Sequence, residues 1–355
     1  MKTKFKLIMK ILVVRFRQIG DAILTTCVFN TIKRTFPDAE TYFVLNDKIA
    51  PLFEGHDAID HIITFSNEER HSPLTYLRKV WRIVRENRFD VIIDMRSTVN
   101  TMLFALLSPR TKYRIGMKKG YTAVAFNHLI EPCGKGESII SHNLKMLRPL
   151  NAIRPLDYDR RFTLSITDAE QDSFKRYMTD CGVDFSRPVI LAGVTAKLAN
   201  KTWNEDSMVS VLDSLIECYP DFQIIFNFAP GAEEQNAVRI YNRLKDNSNV
   251  FVNVHADSLR KLVAMSRLVD FYFGNEGGAR HIVHACGKPS LVICSPYADK
   301  AVWLPQDDVP AHGIAASDYV SAAELAGMTP EERYAVITPD IVTKQLFKQV
   351  ERLKG

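Results

Sequence analysis

Two adjacent glycines, Gly277 and Gly278, stand where a strand-like run gives way to a helix-like pattern. Residues 269–273 form an aromatic, β-prone run, the helical pattern ends at Gly287, and an apolar run follows at 290–294. Glycines at the start of a helix let backbone amides approach an anion closely, and the helix dipole favours negative charge there. The spacing therefore predicts a strand–loop–helix–strand unit whose loop can hold a phosphate group.

Three polar residues accompany this glycine pair. Asn275 and Glu276 lie at the predicted tip of the loop, and His281 falls in the following helical turn, on a side compatible with facing the same point. A glycine pair is a weak signal by itself. The alternative is that the pair only makes a turn while His281 packs or faces solvent, so the rest of the chain has to decide.

The composition is that of an ordinary globular protein with enough residues for two domains. The chain has 355 residues, of which 46% are hydrophobic and 25% charged. Its six cysteines are scattered without a CxxC pair, which predicts reduced thiols in a cytoplasmic protein and neither a disulfide framework nor a zinc site. No apolar run approaches the ~18 residues that a membrane-spanning helix needs.

Positive charge is concentrated in the first half of the chain. Residues 1–155 contain 25 Lys and Arg against 14 Asp and Glu, a difference of +11, whereas residues 156–355 contain 21 against 27, or −6. This asymmetry predicts an anionic partner for the first half, either nucleic acid or a phosphorylated lipid at a membrane surface. Few aromatic side chains accompany the basic residues, which disfavours nucleic acid.

Strand-like and helix-like patterns alternate along both halves, which is typical of parallel sheets covered by helices on both faces. Strands are predicted at 10–15, 41–45, 61–65 and 90–94, and then at 188–192, 222–226, near 250, 269–273 and 290–294. Residues 110–135 read as irregular and basic. No GxGxxG follows the first strand, which disfavours a dinucleotide-binding domain.

We therefore predict an α/β fold with two Rossmann-like, doubly wound parallel-sheet domains that face a cleft. The first covers residues 1–160 and binds the acceptor; the second covers 161–355 and binds a phosphorylated donor. A last helix, at about 339–353, closes the chain and either completes the second domain or packs back on the first.

Four motifs, taken in order, resemble glycosyltransferase family 9, the ADP-heptose:lipopolysaccharide heptosyltransferases, which have a GT-B fold. Each motif is weak alone, but their order and spacing over most of the chain are fairly specific. The motifs are Arg15-x-x-x-Ile19-Gly20-Asp21 after the first strand, Thr195 followed by Lys201-x-Trp203, Pro230-Gly-Ala-Glu233 after a strand, and Asn275-Glu276-Gly277-x-x-x-His281.

The resemblance implies that Asp21 is the catalytic base, which takes the proton from the acceptor hydroxyl as that hydroxyl attacks the anomeric carbon. A carboxylate placed in this way contributes roughly 10²–10⁴-fold to the rate. Asp also favours the first residue of a helix, so the alternative is that Asp21 only caps the helix that follows.

The resemblance also implies a donor site in the second half. Lys201 would contact the donor diphosphate and stabilise the leaving nucleotide, and Thr195 would bond the same diphosphate. Glu233 would accept hydrogen bonds from the ribose hydroxyls, although Glu234 fits equally well in sequence. The alternatives are a solvated loop lysine, a loop-stabilising threonine and ordinary acids of a first helical turn.

The glycine loop departs from the family pattern. The amides of Gly277 and Gly278 would receive the diphosphate with His281 nearby, but the family has Asp and then Thr or Ser before the glycine, where this chain has Asn275 and Glu276. A carboxylate repels phosphate unless it points at the sugar. The departure leaves the fold prediction intact and bears on the identity of the donor sugar.

The first half is expected to bind the acceptor. Arg17 and Arg96 follow strands, at the edge of the sheet where ligands bind, and Gly20 belongs to the first motif. The expected partners are a nucleotide-sugar donor and an anionic glycolipid acceptor, with peripheral contact at the inner membrane surface and no nucleic acid.

These observations predict an inverting, metal-independent glycosyltransferase that carries no cofactor. By resemblance it moves a heptose from ADP-heptose to a lipopolysaccharide core or related glycolipid, on the cytoplasmic face of the inner membrane. Inversion follows from direct displacement, because no second nucleophile is evident. The competing hypotheses are a nucleotide-sugar epimerase of similar architecture and a non-catalytic nucleotide-sugar binding protein.

Overall fold

The computed structural model describes residues 8–16 and 18–354. Its internal contacts divide the chain into two units, residues 1–165 and 166–355, where the sequence predicted a boundary between residues 160 and 161. Each unit is built around one six-stranded sheet whose strand pairings are all parallel, and helices lie between the strands along the chain. Among the described residues, no helix combines the length and the apolarity that crossing a bilayer requires.

The first unit contains six strands in the spatial order β3-β2-β1-β4-β5-β6. The strands are β1 (Lys10–Val14), β2 (Glu40–Asn46), β3 (His61–Phe65), β4 (Val91–Asp94), β5 (Tyr113–Met117) and β6 (His128–Ile130). The helices are α1 (Ile19–Ile23), α2 (Thr26–Thr35), α3 (Asn67–His71), α4 (Pro73–Asn87), α5 (Val99–Leu106) and α6 (Ile139–Lys145).

The second unit repeats this order as β9-β8-β7-β10-β11-β12. Its strands are β7 (Val189–Gly193), β8 (Gln223–Phe226), β9 (Val250–Phe251), β10 (Phe271–Asn275), β11 (Ser290–Ile293) and β12 (Ala311–Ile314). Its helices are α7 (Asp168–Asp180), α8 (Glu205–Cys218), α9 (Ala232–Arg243), α10 (Leu259–Leu268), α11 (Gly278–Ala285), α12 (Lys300–Trp303), α13 (Ala322–Gly327), α14 (Pro330–Val336) and α15 (Pro339–Val350).

Both sheets have the doubly wound order in which the first strand lies beside the fourth, so the predicted α/β fold is confirmed. The central strands β1, β4, β7 and β10 are apolar and buried on both faces, as parallel sheets require. The order of the strands reverses between β1 and β4 in the first sheet and between β7 and β10 in the second, and these two places are the switch points of the sheets. Ligands of such sheets bind beyond the carboxyl ends of the strands at these two points.

The final helix, α15, places its buried side chains in the core of the second unit. Val342 and Leu346 are fully buried there, and the ring of Phe347 packs against Tyr219, with ring centres 5.1 Å apart. The loop before α15 is fixed as well, because the indole nitrogen of Trp203 donates to the carbonyl of Ile337 at 3.1 Å. The apolar face of the helix is therefore used within the second unit.

The prediction of an irregular segment at 110–135 was wrong, because this segment contains β5 and β6. Arg114 and Gly116 interrupt the apolar pattern of β5. In the structure the Arg114 guanidinium donates to the carbonyls of Pro109, Thr111 and Ala125 beside the strand. A Cβ at Gly116 would lie 2.4 Å from the ring of Phe126, so glycine is needed for packing rather than for a turn.

Candidate active site

Asp21 lies in the first unit, in the loop and helix that follow the central strand β1. It is the third residue of α1, and Gln18 occupies the N-cap position, so Asp21 does not cap the helix as the alternative reading supposed. Its side chain is buried, and its Oδ1 accepts a hydrogen bond of 2.7 Å from Nη2 of Arg15. Arg15, which the sequence analysis quoted only as part of a motif, orients the carboxylate.

The side chains of two arginines connect the loops after β1 and β4 by hydrogen bonds. Arg15 Nη1 donates to the carbonyl of Met95 at 2.7 Å, and Arg96 Nη1 donates to the carbonyl of Phe16 at 2.8 Å. Arg96 is partly exposed, as is Gly20 in α1, and both lie at the carboxyl edge of the sheet as predicted. Arg17 lies outside the described residues. The structure thus brings Asp21, Gly20 and Arg96 to one switch point.

A residue that the sequence analysis missed, Asp94, shapes this edge. It ends β4, is fully buried, and its Oδ1 accepts from the backbone N–H groups of Arg96 and Ser97 at 2.9 and 2.8 Å. Burial raises the pKa of this carboxyl. Ser97 has a φ of 49°, which few side chains adopt, so Asp94 holds the loop in a strained conformation. An Asp at the end of a buried strand is the signal that could have identified it.

In the second unit, Asn275 holds together the loops at the carboxyl edge. Its Oδ1 accepts from the backbone N–H of Trp203 at 2.8 Å, and its Nδ2 donates to the carbonyls of Gly193 and Val194, both at 3.0 Å. Only 1% of Asn275 is exposed. The side chain that was expected to contact the donor is therefore used to position the loops that follow β7 and precede α8.

The ends of β7 and β10 approach closely because both carry glycine. A Cβ at Gly274, whose φ is +140°, would lie 2.3 Å from the carbonyl oxygen of Gly193. A Cβ at Gly193 would lie 2.1 Å from the hydroxyl of Tyr272. That hydroxyl donates to the carbonyl of Asn275 at 2.8 Å. The two glycines thus fix the floor of the candidate donor site.

Thr195 and Glu233 meet beyond the ends of the neighbouring strands β7 and β8. Thr195 is buried, and its hydroxyl donates to Glu233 Oε2 at 3.5 Å. Glu234, the alternative in sequence, accepts instead from the backbone N–H of Gly231 at 3.3 Å and so caps its own helix. Glu233 Oε2 also accepts from the backbone N–H of Ala229 at 3.5 Å, so each acid bonds its own loop and Glu233 is in addition bonded by Thr195.

The glycine loop leaves backbone open at the start of α11. Gly277 is extended, with φ at −173°, and Gly278 is the first residue of the helix. A Cβ at Gly277 would meet nothing within 4 Å, so neither the backbone angles nor the packing of the protein requires glycine there. The open space lies where first-turn amides and the helix dipole favour an anion.

His281 is buried under this loop rather than exposed on it. Its ring lies edge-on to Trp303, with ring centres 6.4 Å apart, and its Nε2 is 3.4 Å from Nη2 of Arg280. Burial and the nearby Arg280 charge hold the pKa of His281 well below its ordinary value. His281 is therefore a neutral imidazole at physiological pH, which can hydrogen-bond but cannot supply a positive charge.

Glu276 turns towards the neighbouring strand β11. Its Oε2 accepts from the backbone N–H of Ser295 at 3.3 Å. Ser295 and Tyr334 line a cavity of about 350 Å³ beyond the ends of β11 and β12. Burial, followed by the Glu276 charge, raises the pKa of Tyr334, so this phenol stays protonated. The Glu276 carboxylate is thus directed away from Thr195 and towards the opposite side of the glycine loop.

Lys201 and Trp203 belong to the segment between β7 and α8. Lys201 ends a short 3₁₀ turn and is half-buried, whereas Trp203 is 1% exposed and packs in the core. Trp203 therefore anchors the loop that carries Lys201.

A separate group of potential metal ligands, Cys133, Glu137 and His142, lies in the first unit. Its Glu137 Oε2 already accepts a hydrogen bond from Lys145 at 2.9 Å.

Two Rossmann-like units, each with polar residues at its switch point, are the architecture of a GT-B glycosyltransferase. The comparisons with known proteins agree with this class. The profile of glycosyltransferase family 9 (heptosyltransferase) matches residues 77–300, which is more than half of the chain. The chain belongs to this family and is a glycosyltransferase, as the sequence motifs predicted.

Known relatives resemble the chain along most of its length. Lipopolysaccharide heptosyltransferase 3 of Escherichia coli K12 is 22% identical over 302 residues, which cover 81% of this chain and 82% of the relative. The crystal structure of a family 9 glycosyltransferase from Veillonella parvula superposes with a TM-score of 0.79 at 17% identity, and 97% of each chain is covered. The heptosyltransferase WaaC of Escherichia coli with ADP-2-deoxy-2-fluoro heptose superposes with a TM-score of 0.68 at 15% identity, covering 96% of this chain and 99% of WaaC.

Proposed function

We propose that this enzyme transfers a heptose from ADP-heptose to a lipopolysaccharide core or a related glycolipid, with inversion at the anomeric carbon. The names of its relatives support this substrate class. The observation that carries the proposal is the switch point of the second sheet. There Thr195, Glu233 and the open backbone at Gly277 lie beyond adjacent strands, where doubly wound sheets bind ligands.

The donor is held by its nucleotide and its diphosphate. Glu233 accepts hydrogen bonds from the ribose hydroxyls, and Thr195 bonds the diphosphate. Lys201 and the amides of Gly277 and Gly278 compensate the charge that grows on the leaving ADP. Because a lysine and a helix N-terminus supply this compensation, the proposed mechanism needs no metal ion and no cofactor.

The remaining donor residues have distinct proposed roles. Asn275 positions the loops through its three backbone hydrogen bonds. His281 acts as a neutral hydrogen-bonding group, in keeping with its lowered pKa. Glu276 points at the sugar rather than at the phosphates, since its carboxylate is directed towards Ser295 and the cavity beside it.

Asp21 is the proposed general base. The acceptor hydroxyl oxygen forms a bond to the anomeric carbon while the bond from that carbon to the diphosphate oxygen breaks and ADP leaves. The proton of the hydroxyl passes to the Asp21 carboxylate, which Arg15 keeps in place. A single displacement of this kind inverts the anomeric configuration.

The acceptor is proposed to be an anionic glycolipid that the enzyme meets at the cytoplasmic face of the inner membrane. Arg96 and Gly20 lie at the same edge as Asp21, and Arg17 belongs to the motif that contains Gly20 and Asp21. The excess of basic residues in the first half supports an anionic acceptor.

Transfer from a panel of ADP-, GDP- and UDP-sugars to a deacylated lipopolysaccharide acceptor tests the proposal. We expect ADP-heptose to be consumed only when acceptor is present, and Asp21→Ala to keep donor affinity in calorimetric titration while losing transfer. Turnover of the nucleotide-sugar without acceptor would point to an epimerase instead. Full activity of Asp21→Ala would rule out its role as base.

A further inference from the structure

Helix α4 exposes a row of large apolar side chains. Leu74, Leu77 and Trp81 are 69%, 40% and 53% exposed, and their spacing of three and four residues places them on one side of the helix. The opposite side packs in the core of the first unit through Tyr76, Val80, Ile83 and Val84. Single exposed apolar residues are ordinary, but a row of them marks an interaction surface.

Further exposed apolar side chains lie near the edge of the sheet beside Asp94. Tyr76 Oη donates to the carbonyl of Asn100 at 3.1 Å, which fastens α4 to the start of α5, where Val99 is 70% exposed. Tyr121 Oη donates to the carbonyl of Ser97 at 3.1 Å, just before α5. We call these exposed side chains the apolar rim: Leu74, Leu77, Trp81, Val99, Tyr121 and Val124.

Arginines are interleaved with the apolar side chains of α4. Arg78, Arg82 and Arg85 are exposed, and the only acid of the helix is Glu86. The Arg85 guanidinium lies 5.6 Å from the centre of the Trp81 ring. This arrangement combines large apolar groups with positive charge on one helical face, which is the pattern of helices that lie in the plane of a bilayer surface.

The interleaved charge distinguishes a bilayer from a protein partner. The core of a protein–protein interface is depleted of charged residues, whereas here Arg78, Arg82 and Arg85 follow one another at helical spacing on the exposed face. Anionic headgroups accept hydrogen bonds from arginine while the apolar side chains enter the boundary of the acyl chains. A tryptophan is suited to that boundary, because its ring is amphipathic.

We propose that the apolar rim docks this enzyme reversibly on an anionic phospholipid bilayer. The rim residue Tyr121 is bonded to the carbonyl of Ser97, whose loop follows β4 at the switch point that carries Asp21, so docking brings that point close to the membrane surface. This inference rests on the proposed lipid-linked acceptor for its purpose. Its test needs neither donor nor acceptor, so either proposal can fail while the other stands.

Cosedimentation with vesicles measures docking directly. The full chain is mixed with vesicles of phosphatidylcholine alone, or of phosphatidylcholine and phosphatidylglycerol in equal amounts, and tryptophan emission is recorded. We expect binding to the anionic vesicles, a blue shift of the emission, and loss of both at high salt because exposed charges are screened. Trp81→Phe should remove the shift, because Trp203 is buried and the half-buried Trp303 lies in the second unit against the ring of His281.

Substitutions on the rim separate lipid docking from other causes. Each basic residue near an anionic surface contributes about fivefold to binding, so Arg78→Gln with Arg82→Gln should weaken it by about 25-fold. Lys175→Gln with Arg176→Gln removes two exposed charges from α7 in the second unit and should leave binding unchanged. Leu74→Ser with Leu77→Ser should reduce the emission shift while the thermal unfolding midpoint is kept.

Three outcomes would overturn the proposal. The first is that the full chain fails to sediment with anionic vesicles at low salt. The second is that the α4 and α7 variants lose binding equally, since the attraction would then not lie on the rim. The third is concentration-dependent dimerisation in sedimentation velocity that Leu74→Ser with Leu77→Ser abolishes, because a second copy of the chain would then cover this face.

Discussion

Arg15 and Asp21 form a buried ion pair beside the carboxyl end of β1, with Nη2 of the arginine 2.7 Å from Oδ1 of the aspartate. The same guanidinium donates to the carbonyl of Met95 after β4. The proposed base is thus held by a residue that also joins the two loops of the switch point. Stability and the proposed catalytic step therefore both involve the side chain of Arg15.

Replacing Arg15 by methionine should lower both stability and activity. The buried Asp21 carboxylate would lose its guanidinium partner, and breaking a buried pair in this way costs about 3–5 kcal/mol of unfolding free energy. Urea unfolding measures the change. In a double-mutant cycle with Asp21→Asn, the two effects should fall well short of adding, because the residues contact each other. Additive effects would contradict a direct interaction.

Asn275→Asp should destabilise the second unit without changing the shape of the side chain. The new carboxylate oxygen would face the carbonyls of Gly193 and Val194, to which the amide now donates at 3.0 Å. Placing this oxygen, a hydrogen-bond acceptor, against two carbonyl oxygens should lower the free energy of unfolding by at least about 1–3 kcal/mol.

This destabilisation should depend on pH with a defined sign. The carbonyls disfavour the ionised form and raise the folded-state pKa of the new carboxyl above its unfolded value of ~3.9. The folded state then binds more protons between the two pKa values, so the penalty should shrink as the pH falls through the folded-state pKa towards ~3.9. A penalty that is equal at pH values near neutrality and in mild acid would contradict the arrangement.

The hydrophobic pattern of the sequence was sufficient to predict the central strands of the two sheets but not the strands nearer their edges. Strands β1, β4, β7 and β10 each contain an apolar run of at least three residues, and such runs between helical patterns predict a doubly wound sheet. Strands β5 and β12 contain glycine and polar residues, Arg114 and Gly116 in one and His312 and Gly313 in the other. Their pairing with a neighbouring strand decides their conformation, and no local pattern records it.

The sequence predicted which loops form the candidate site, but it did not predict the hydrogen bonds between their side chains. Motif spacing placed Thr195, Glu233 and Gly277 in loops that follow strands, and the structure shows that those strands, β7, β8 and β10, are adjacent. It did not reveal that the Asn275 amide is used entirely on backbone groups, because those partners lie more than 70 residues away in sequence. Roles for these residues in binding the donor remain predictions.

Gly277→Ala should fold normally and bind the donor poorly. Any residue can adopt the extended angles of Gly277, and the added Cβ would meet nothing within 4 Å. A diphosphate that approaches the backbone there would meet the methyl group, so ADP affinity should fall at least about tenfold, or about 1.4 kcal/mol.

Gly274→Ala is the matched control, because its Cβ would lie 2.3 Å from the carbonyl oxygen of Gly193 at a φ of +140°. That variant should lower the thermal unfolding midpoint strongly, whereas Gly277→Ala should leave it near the wild-type value. Unchanged ADP affinity in Gly277→Ala would mean that the diphosphate binds elsewhere.

His281 should make the protein less stable in mild acid. Its pKa lies well below 6.5 in the folded state, so the unfolded chain binds a proton that the folded chain does not. Its contribution to stability is therefore complete above about pH 6.5 and is lost as the pH falls below that value, by up to about 1.4 kcal/mol per pH unit.

The His281→Gln variant isolates this contribution. His56 and His142 also have lowered pKa values because they are buried, so the wild type loses stability through several histidines. The difference between wild type and His281→Gln should shrink from pH 7.5 to pH 5 in urea unfolding. Affinity for a nucleotide-sugar should not rise over the same range, because a buried neutral imidazole gains no charge; a rise that His281→Gln removes would contradict this.

Two neighbouring glutamates allow a direct test of the nucleotide site. Glu233 Oε2 accepts from Thr195 at 3.5 Å, whereas Glu234 Oε2 accepts from the backbone N–H of Gly231 at 3.3 Å. Glu233→Gln should weaken ADP binding about tenfold, since an amide replaces a charged acceptor of the ribose hydroxyls. Glu234→Gln should keep ADP affinity and lower stability by less than about 1 kcal/mol, because the side-chain oxygen of glutamine can also accept from the backbone N–H of Gly231. Calorimetric titration with ADP and with 2′-deoxy-ADP completes the comparison. If Glu233 bonds the ribose hydroxyls, the wild type should prefer ADP over 2′-deoxy-ADP, and Glu233→Gln should show a smaller preference. Equal losses in the two glutamate variants would show that the acids act only through the dipole of α9.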